Sequence, residues 1–377
     1  MDRRFMRLIA ATLALLIGSV SAQASESKLR IGVIGLVHGH VAGFFRQVLN
    51  RQDVEIAGIA EPDRDLAMRY ARQYHLDAKL FYASAEEMLE RVKPEAAVLY
   101  TSTYGHRAAV EACARHHIDV MMEKPLAVSN QEASAIETAA RAGGIQVLVN
   151  YETTWYASNH AANDMLRNGQ LGEVRKVVVH DGHSGPKEIG VPPEFFHWLT
   201  DPRTNGAGAL FDFGCYGADL MTWLMKGERP LTVTAVTQQI KPEIYPKVDD
   251  EATVILTYPH AQAILQASWN WPFDRKDMEV YGRTGYAITV KRDDLRVRTK
   301  GEQTEHLVHA KAIAPPEDDS LHYFAAVVRK QIQPVGLSAL DTNLVVTEIL
   351  DAARQSAQSG RTIRLSDVEG GKPTATR

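Results

Sequence analysis

Between Leu29 and Val149, short apolar runs alternate with stretches whose apolar residues recur every three or four positions. The runs Leu29–Leu36, Val54–Ala60, Ala96–Tyr100, Ile118–Met122 and Gln146–Val149 predict strands buried on both faces. Phe44–Arg51, Asp63–Tyr74, Ala85–Arg91, His106–His116 and Gln131–Ala142 predict the helices between them, the last stopped by Gly143-Gly144. This alternation predicts an α/β fold, a Rossmann doubly wound parallel sheet over residues 29–150.

After Tyr151 the period changes. A helix near Ala157–Asn168 leads into Val174–His180, Leu231–Gln239, Ala252–Tyr258, Gln262–Trp269, Met278–Tyr281 and Ala287–Lys291, with a turn at Gly282–Gly285. Their alternation predicts an α/β domain with an open, mainly antiparallel sheet over residues 151–366, one face of it buried. Helices at about Ser320–Gln331 and Ala339–Ser356 close it. The tail 367–377, rich in Gly, Lys, Pro and Thr, reads as frayed.

The first 24 residues change the picture of where the protein works. Arg3, Arg4 and Arg7 precede an apolar run, Leu8–Val20, and Ala22-Gln23-Ala24 is a small-x-small cleavage site. They predict a signal peptide and a periplasmic or secreted protein, exported by the Sec or the twin-arginine route. Removing Asp2 and the three arginines takes the formal charge from −4 to −6. Without a basic stripe or a second apolar span, the chain predicts neither a nucleic-acid partner nor a membrane partner after leader cleavage. The two cysteines, Cys113 and Cys215, lie in apolar patterns and do not make a disulfide scaffold.

Chemistry enters at the end of the first strand. Gly35 takes the first position of a Gly-x-Gly-x-x-Gly turn, but Val37 and His40 stand at the second and third; Gly39 offers freedom if the turn shifts by one residue. Glu61, after the second strand, is placed to accept hydrogen bonds from an adenosine ribose, which favours NAD while leaving NADP possible. His38 and His40 have no acid or thiol beside them in sequence, so loop packing or coenzyme contact is expected there and a metal is not.

Glu123-Lys124-Pro125 closes the fifth apolar run, and Gly206-Ala207-Gly208-Ala209-Leu210-Phe211-Asp212-Phe213-Gly214-Cys215-Tyr216 follows about eighty residues on. Asp212 and Tyr216 are four apart and share a face if the segment is helical. An ammonium such as Lys124 beside the phenol would lower its proton affinity and stabilise a developing alkoxide, and the glycines would let substrate approach the backbone.

These segments resemble the glucose-fructose oxidoreductase / inositol dehydrogenase / rhizopine-catabolism (Gfo/Idh/MocA) family over nearly the whole mature chain. Thr101-Ser102-Thr103-Tyr104-Gly105-His106 is similar to the family's Thr-Pro-x-x-x-His turn, with Ser102 in place of Pro. Glu123-Lys124-Pro125 is its Glu-Lys-Pro, and Gly206–Tyr216 its Gly-Gly-Gly-x-Leu-x-Asp-x-Gly-x-His segment with a final Tyr. The resemblance implies an NAD(P)-dependent oxidoreductase acting on a sugar, glycoside or polyol hydroxyl. Lys124, Asp212 and Tyr216 are its catalytic residues, and Gly35, Val37, His38, Gly39, His40, Glu61, Thr101, Ser102, His106, Glu123 and Lys124 its coenzyme contacts. It implies a carbohydrate substrate and a homo-oligomer formed through the C-terminal sheet.

Aromatic and polar residues able to stack on and bond a sugar add Trp155, Tyr156, His183, His197 and Trp198 as substrate candidates. Trp269-Asn270-Trp271 suits either the site or a subunit interface. Because free nicotinamide coenzyme is scarce outside the cytoplasm, export implies a tightly held one. Two other readings stay open: a redox-cycling glycosidase, and a sensor that binds without turnover.

Overall fold

The computed structural model describes residues 27–367; the expected signal peptide and the tail from residue 368 lie outside them. Strands β1 (Leu29–Ile34), β2 (Val54–Ala60), β3 (Phe81–Tyr82), β4 (Ala96–Leu99), β5 (Asp119–Glu123) and β6 (Val147–Asn150) form a six-stranded sheet in the order β3-β2-β1-β4-β5-β6. Every pair in it is parallel. Helices α1 (Val41–Val48), α2 (Arg64–Tyr74), α3 (Ala85–Val92), α4 (His106–Arg115) and α5 (Asn130–Gly143) connect the strands. The order reverses between β1 and β4, which opens a crevice at the carboxyl edge of those strands. Asp63, Ser84 and Ser129 cap α2, α3 and α5 through side-chain oxygens.

The expected strands and helices of this half form with small changes at their ends. The two-residue strand β3 has too little pattern to be seen in the sequence.

The second half begins with α6 (Ala157–Arg167) and β7 (Val174–Gly182). Four helices follow in close succession: α7 (Pro193–Leu199), α8 (Pro202–Asn205), α9 (Ala209–Asp212) and α10 (Gly214–Leu224). Then come β8 (Thr232–Gln238), β9 (Glu251–Thr257), β10 (Gln262–Ser268), β11 (Arg275–Gly282), β12 (Gly285–Thr289), β13 (Asp294–Thr299), β14 (His306–His309), α11 (Ser320–Val328), α12 (Leu340–Ser359) and β15 (Ile363–Arg364). The nine strands order as β14-β13-β12-β11-β7-β10-β9-β8-β15, antiparallel except where β10 meets β7. On the adjacent strands β7, β10 and β9, Val177, Val179, Ala263, Leu265, Ala252 and Val254 are buried on one face, which α9 and α10 cover, while α12 covers β8 beside them. Nearly every residue of α10 is buried, Asp219 and Thr222 among them, so the helix is enclosed by the rest of the fold.

One return crosses the boundary expected at residue 150. Helix α11 packs Leu321, Tyr323, Phe324 and Val327 into the core formed by β1, α1 and β4. The apolar side of α11 finds its cover on the first sheet, so the Rossmann unit is completed by residues from the end of the chain.

Candidate active site

Lys124 directly follows β5 and points across to the short helices of the second half. Its Nζ donates to the carbonyl of Asp212 at 2.9 Å and forms an ion pair with Asp212 Oδ1. Trp269 Nε1 donates to the other carboxylate oxygen at 2.9 Å. Both members of the pair are buried. Burial alone would neutralise each, but mutual attraction outweighs it: the Asp212 carboxyl is held below its ordinary value and the Lys124 ammonium above its own.

The segment between them is a bent helix. Phe213 interrupts α9 and α10, and Tyr216 N–H bonds Phe213 O at 3.1 Å. Gly208 is held from outside: a Cβ there would lie 1.8 Å from the backbone oxygen of Asp249, whose side chain accepts from Gly208 N and Leu210 N at 2.9 and 2.7 Å. That glycine admits neighbouring backbone where the sequence suggested substrate. Burial pushes the Asp249 carboxyl up to about 6.

Tyr216 is 1 % exposed, with the Lys124 and Lys276 ammonium nitrogens each 5.2 Å from its ring centroid. The expected lowering of its proton affinity does not occur. Burial first, then Cys215, Glu152, Glu123 and Asp212, hold the phenol well above its ordinary value. The physical reason is burial of the phenol among acidic groups, with the nearby Lys124 ammonium already paired to Asp212. Lys276 is likewise paired, to Glu152, which accepts from Tyr156 Oη at 2.6 Å. Burial opposes ionisation of Glu152, but Lys276 prevails and holds its carboxyl below the ordinary value.

Two family models divide this architecture between them. Residues 29–151 match "Oxidoreductase family, NAD-binding Rossmann fold", and residues 159–288 match the GFO/IDH/MocA C-terminal domain. The chain belongs to the Gfo/Idh/MocA family of oxidoreductases. It is 28% identical over 233 residues to trans-1,2-dihydrobenzene-1,2-diol dehydrogenase of Bos taurus, covering 61% of this chain and 65% of that protein, just under two thirds of the relative's length. Its fold is that of the aldose-aldose oxidoreductase of Caulobacter crescentus complexed with glycerol: TM-score 0.76, 20% identity, 90% of this chain and 100% of the other. It is also that of an inositol dehydrogenase homolog of Azotobacter vinelandii complexed with NADH and myo-inositol: TM-score 0.74, 17% identity, 90% and 98% covered.

In this Gfo/Idh/MocA chain the coenzyme turn is built around Gly35, which has φ +83°; a Cβ there would meet Thr101 N at 2.9 Å. Only glycine permits β1 and the end of β4 to approach so closely. The N-terminus of α1 faces the crevice with no acid in its first turn, so residues 35–43 suit a pyrophosphate. The rest of the turn departs from expectation. A Cβ on Gly39 would lie 2.9 Å from Phe195, so its space is taken by the ring on α7. His38 is buried, its centroid 4.7 Å from Phe195 and 5.4 Å from Trp198, and Trp198 Nε1 donates to Val37 O at 3.1 Å. Glu61 is turned inward, accepting from Leu36 N at 2.8 Å and Asp63 N at 2.9 Å, so it braces the turn where a ribose contact was expected.

Thr101, Ser102 and His106 hold the facing turn. Thr101 Oγ1 bonds Ser102 O at 2.9 Å, Ser102 Oγ accepts from Gly105 N, and His106 Nδ1 meets Leu126 O at 3.2 Å. Glu123 shares a 3.0 Å hydrogen bond with His40 Nδ1. With His38 these ligand atoms lie within 4.8 Å of one another, so the fold supplies the acid that the histidines lack in sequence. Burial first, then His40 and Lys124, keep the His38 imidazole neutral, and the same ammonium opposes a metal cation beside it.

Of the substrate candidates, His183 lies beside the residue that follows Asp212: its ring meets Phe213 at 4.8 Å, and Gly185 N donates to its Nδ1 at 2.9 Å. Tyr156 is linked through Glu152 to Lys276. Trp155, bonded to Asn150 Oδ1 at 3.0 Å, lines a cavity of about 270 Å³ with His40, Glu123 and Glu152. Trp198 packs against the turn at Val37 and His38, and His197 is exposed on the other side of α7.

Sequence reasoning missed Glu152 and Lys276, lone charges with no motif around them. It also missed Asp181, two residues before the candidate His183. Trp269 had a signal in Trp-Asn-Trp, and its bond to Asp212 assigns it to the site.

Proposed function

We propose that the protein is an NAD(P)-dependent oxidoreductase that interconverts a carbinol and a carbonyl on a neutral sugar, glycoside or polyol. The observation that carries this reading is the buried Lys124–Asp212 pair against Tyr216, at the carboxyl edge of β5 beside the coenzyme crevice. Bound coenzyme supplies the hydride chemistry. Lys124, kept charged by Asp212, donates to the substrate oxygen, and Trp269 fixes the carboxylate. Tyr216, protonated at rest, gives its proton to the carbonyl oxygen in the reductive direction; in oxidation the phenol first loses that proton to solvent, and the resulting phenolate takes the carbinol proton.

The charges support a neutral substrate. Both ammonium groups near the phenol already have a carboxylate partner, so their charge is balanced and a substrate carboxylate or phosphate would bring an uncompensated one.

Export by the N-terminal leader and a tightly held coenzyme belong to the same proposal. Helix α7 lies across the turn at Val37–Gly39, and Arg69 pairs with Glu194 beside it, which favours slow exchange. The half-exposed outer face of the second sheet, with Val178, Ile255 and Ile264, suits contact with a second copy. Purified protein should carry a nicotinamide nucleotide, identified after denaturation, and should reduce or oxidise it with a sugar. Protein that neither carries nor binds the nucleotide overturns the reading.

A further inference from the structure

One carboxyl in the site has no part in the chemistry above. Asp181 stands at the carboxyl end of β7 and is 1 % exposed. In register it lies between Ala267 of β10 and Lys276 of β11, on the sheet face it shares with Val177 and Val179. Helix α10 runs over that face: a Cβ on Gly217, next to Tyr216, would lie 2.9 Å from Leu265. Asp181 Oδ1 is buried and has no hydrogen-bond partner among the described residues. Lys276, directly opposite, is taken by Glu152.

Buried polar atoms in folded proteins are nearly always satisfied, and an exception at a functional site marks a place where a ligand completes the bonding. A buried, unpaired carboxylate would also be costly. Burial pushes the Asp181 carboxyl well above the ordinary carboxylate range, against the pull of Lys276. A neutral carboxylic acid both donates and accepts, which is what a hydroxyl partner needs.

We infer that Asp181 is a specificity-determining residue that hydrogen-bonds a second substrate hydroxyl, on the carbon next to the reacting carbinol, so that the site selects a vicinal diol over a simple alcohol. The inference rests on the reading that Lys124, Asp212 and Tyr216 receive the first hydroxyl. In it the floor of the second sheet selects, while the trio reacts.

The test uses the mature protein and two probes, trans-cyclohexane-1,2-diol and cyclohexanol, with binding measured by calorimetry in the wild type, Asp181→Ala and Asp181→Asn. NADH binding is followed separately by fluorescence. The wild type should prefer the diol by about 10-fold or more, the usual effect of leaving one buried polar group unpaired. Asp181→Ala should bring the two probes to within about 2-fold, and Asp181→Asn, which keeps a neutral donor and acceptor, should retain most of the preference. NADH affinity should stay the same throughout. A wild type without preference, or an alanine variant that keeps it, overturns the inference. Loss of the preference in a protein that binds no NADH sustains the role of Asp181 and overturns the redox reading.

Discussion

Two loops face each other across the carboxyl edge of the first sheet, and they are held by different forces. The turn from β1 to α1 is closed by shape: Gly35 against Thr101, Gly39 against Phe195, and Trp198 over Val37. The end of β5 is closed by charge, with Lys124 and Asp212 buried together and Tyr216 beneath them. Substitutions in the first loop should therefore act on stability and coenzyme exchange, and those in the second on chemistry.

The largest expected effect comes from splitting the charge pair. Lys124→Met leaves the Asp212 carboxylate buried alone, which costs about 3–5 kcal/mol of stability, and it removes the donor to the substrate oxygen. Denaturant melts of Lys124→Met and of Lys124→Met with Asp212→Leu separate the two effects. The double variant should regain stability and stay inactive. Equal stability in both would show that the pair is not coupled.

Tyr216→Phe is next. Losing the proton-transferring oxygen should reduce turnover about 10²- to 10⁴-fold with coenzyme affinity unchanged, measured by steady-state kinetics and NADH titration. A comparable loss of NADH affinity would place Tyr216 with the shape-held loop instead.

On the other side, Gly35→Ala forces a side chain into φ +83° and against Thr101, which should cost about 1–3 kcal/mol in thermal melts. Trp198→Phe removes one hydrogen bond and should cost about 1 kcal/mol while speeding coenzyme release, read by stopped-flow. Unchanged release would deny α7 its role as a cover.

A pH measurement sharpens the contrast within the charged half. The Asp212 carboxyl is lower in the fold than its ordinary 3.8, so its stabilising contribution is complete at neutral pH and is lost only as pH falls below that value. Asp219 behaves in the opposite sense. Both its oxygens are buried with no hydrogen-bond partner among the described residues, and burial pushes its carboxyl well up. The unfolded chain ionises it first, so it makes stability fall as pH rises above 3.8. Asp219→Asn should flatten that decline and raise Tm at neutral pH.

Much of this was legible in the sequence, for identifiable reasons. The strands of the first sheet are short apolar runs between capped helices, and Lys124, Asp212 and Tyr216 sit in spaced motifs that survive as patterns. The coenzyme turn was legible only at Gly35. Trp198 reads as a sugar-stacking aromatic, and only the fold shows that α7 brings it against the turn at Val37 and His38. Glu61 has the position of a ribose acceptor, but two backbone amides turn it inward. The proton affinity of Tyr216 was misjudged because proximity to Lys124 does not reveal how completely the phenol is buried, nor that Asp212 already engages the ammonium. Asp181 and Lys276 come together only through the register of β7 and β11, which no local pattern encodes.

The most direct test is a single turnover. Wild-type and Tyr216→Phe proteins are loaded with NAD and mixed with a panel of neutral sugars and polyols, and the near-ultraviolet band of the reduced nicotinamide is followed. The wild type should generate that band in proportion to protein with at least one member, and Tyr216→Phe should generate it at least about 100-fold more slowly. Equal rates in both proteins, or a wild type that takes up no nucleotide, would contradict the proposed role of the lysine, aspartate and tyrosine.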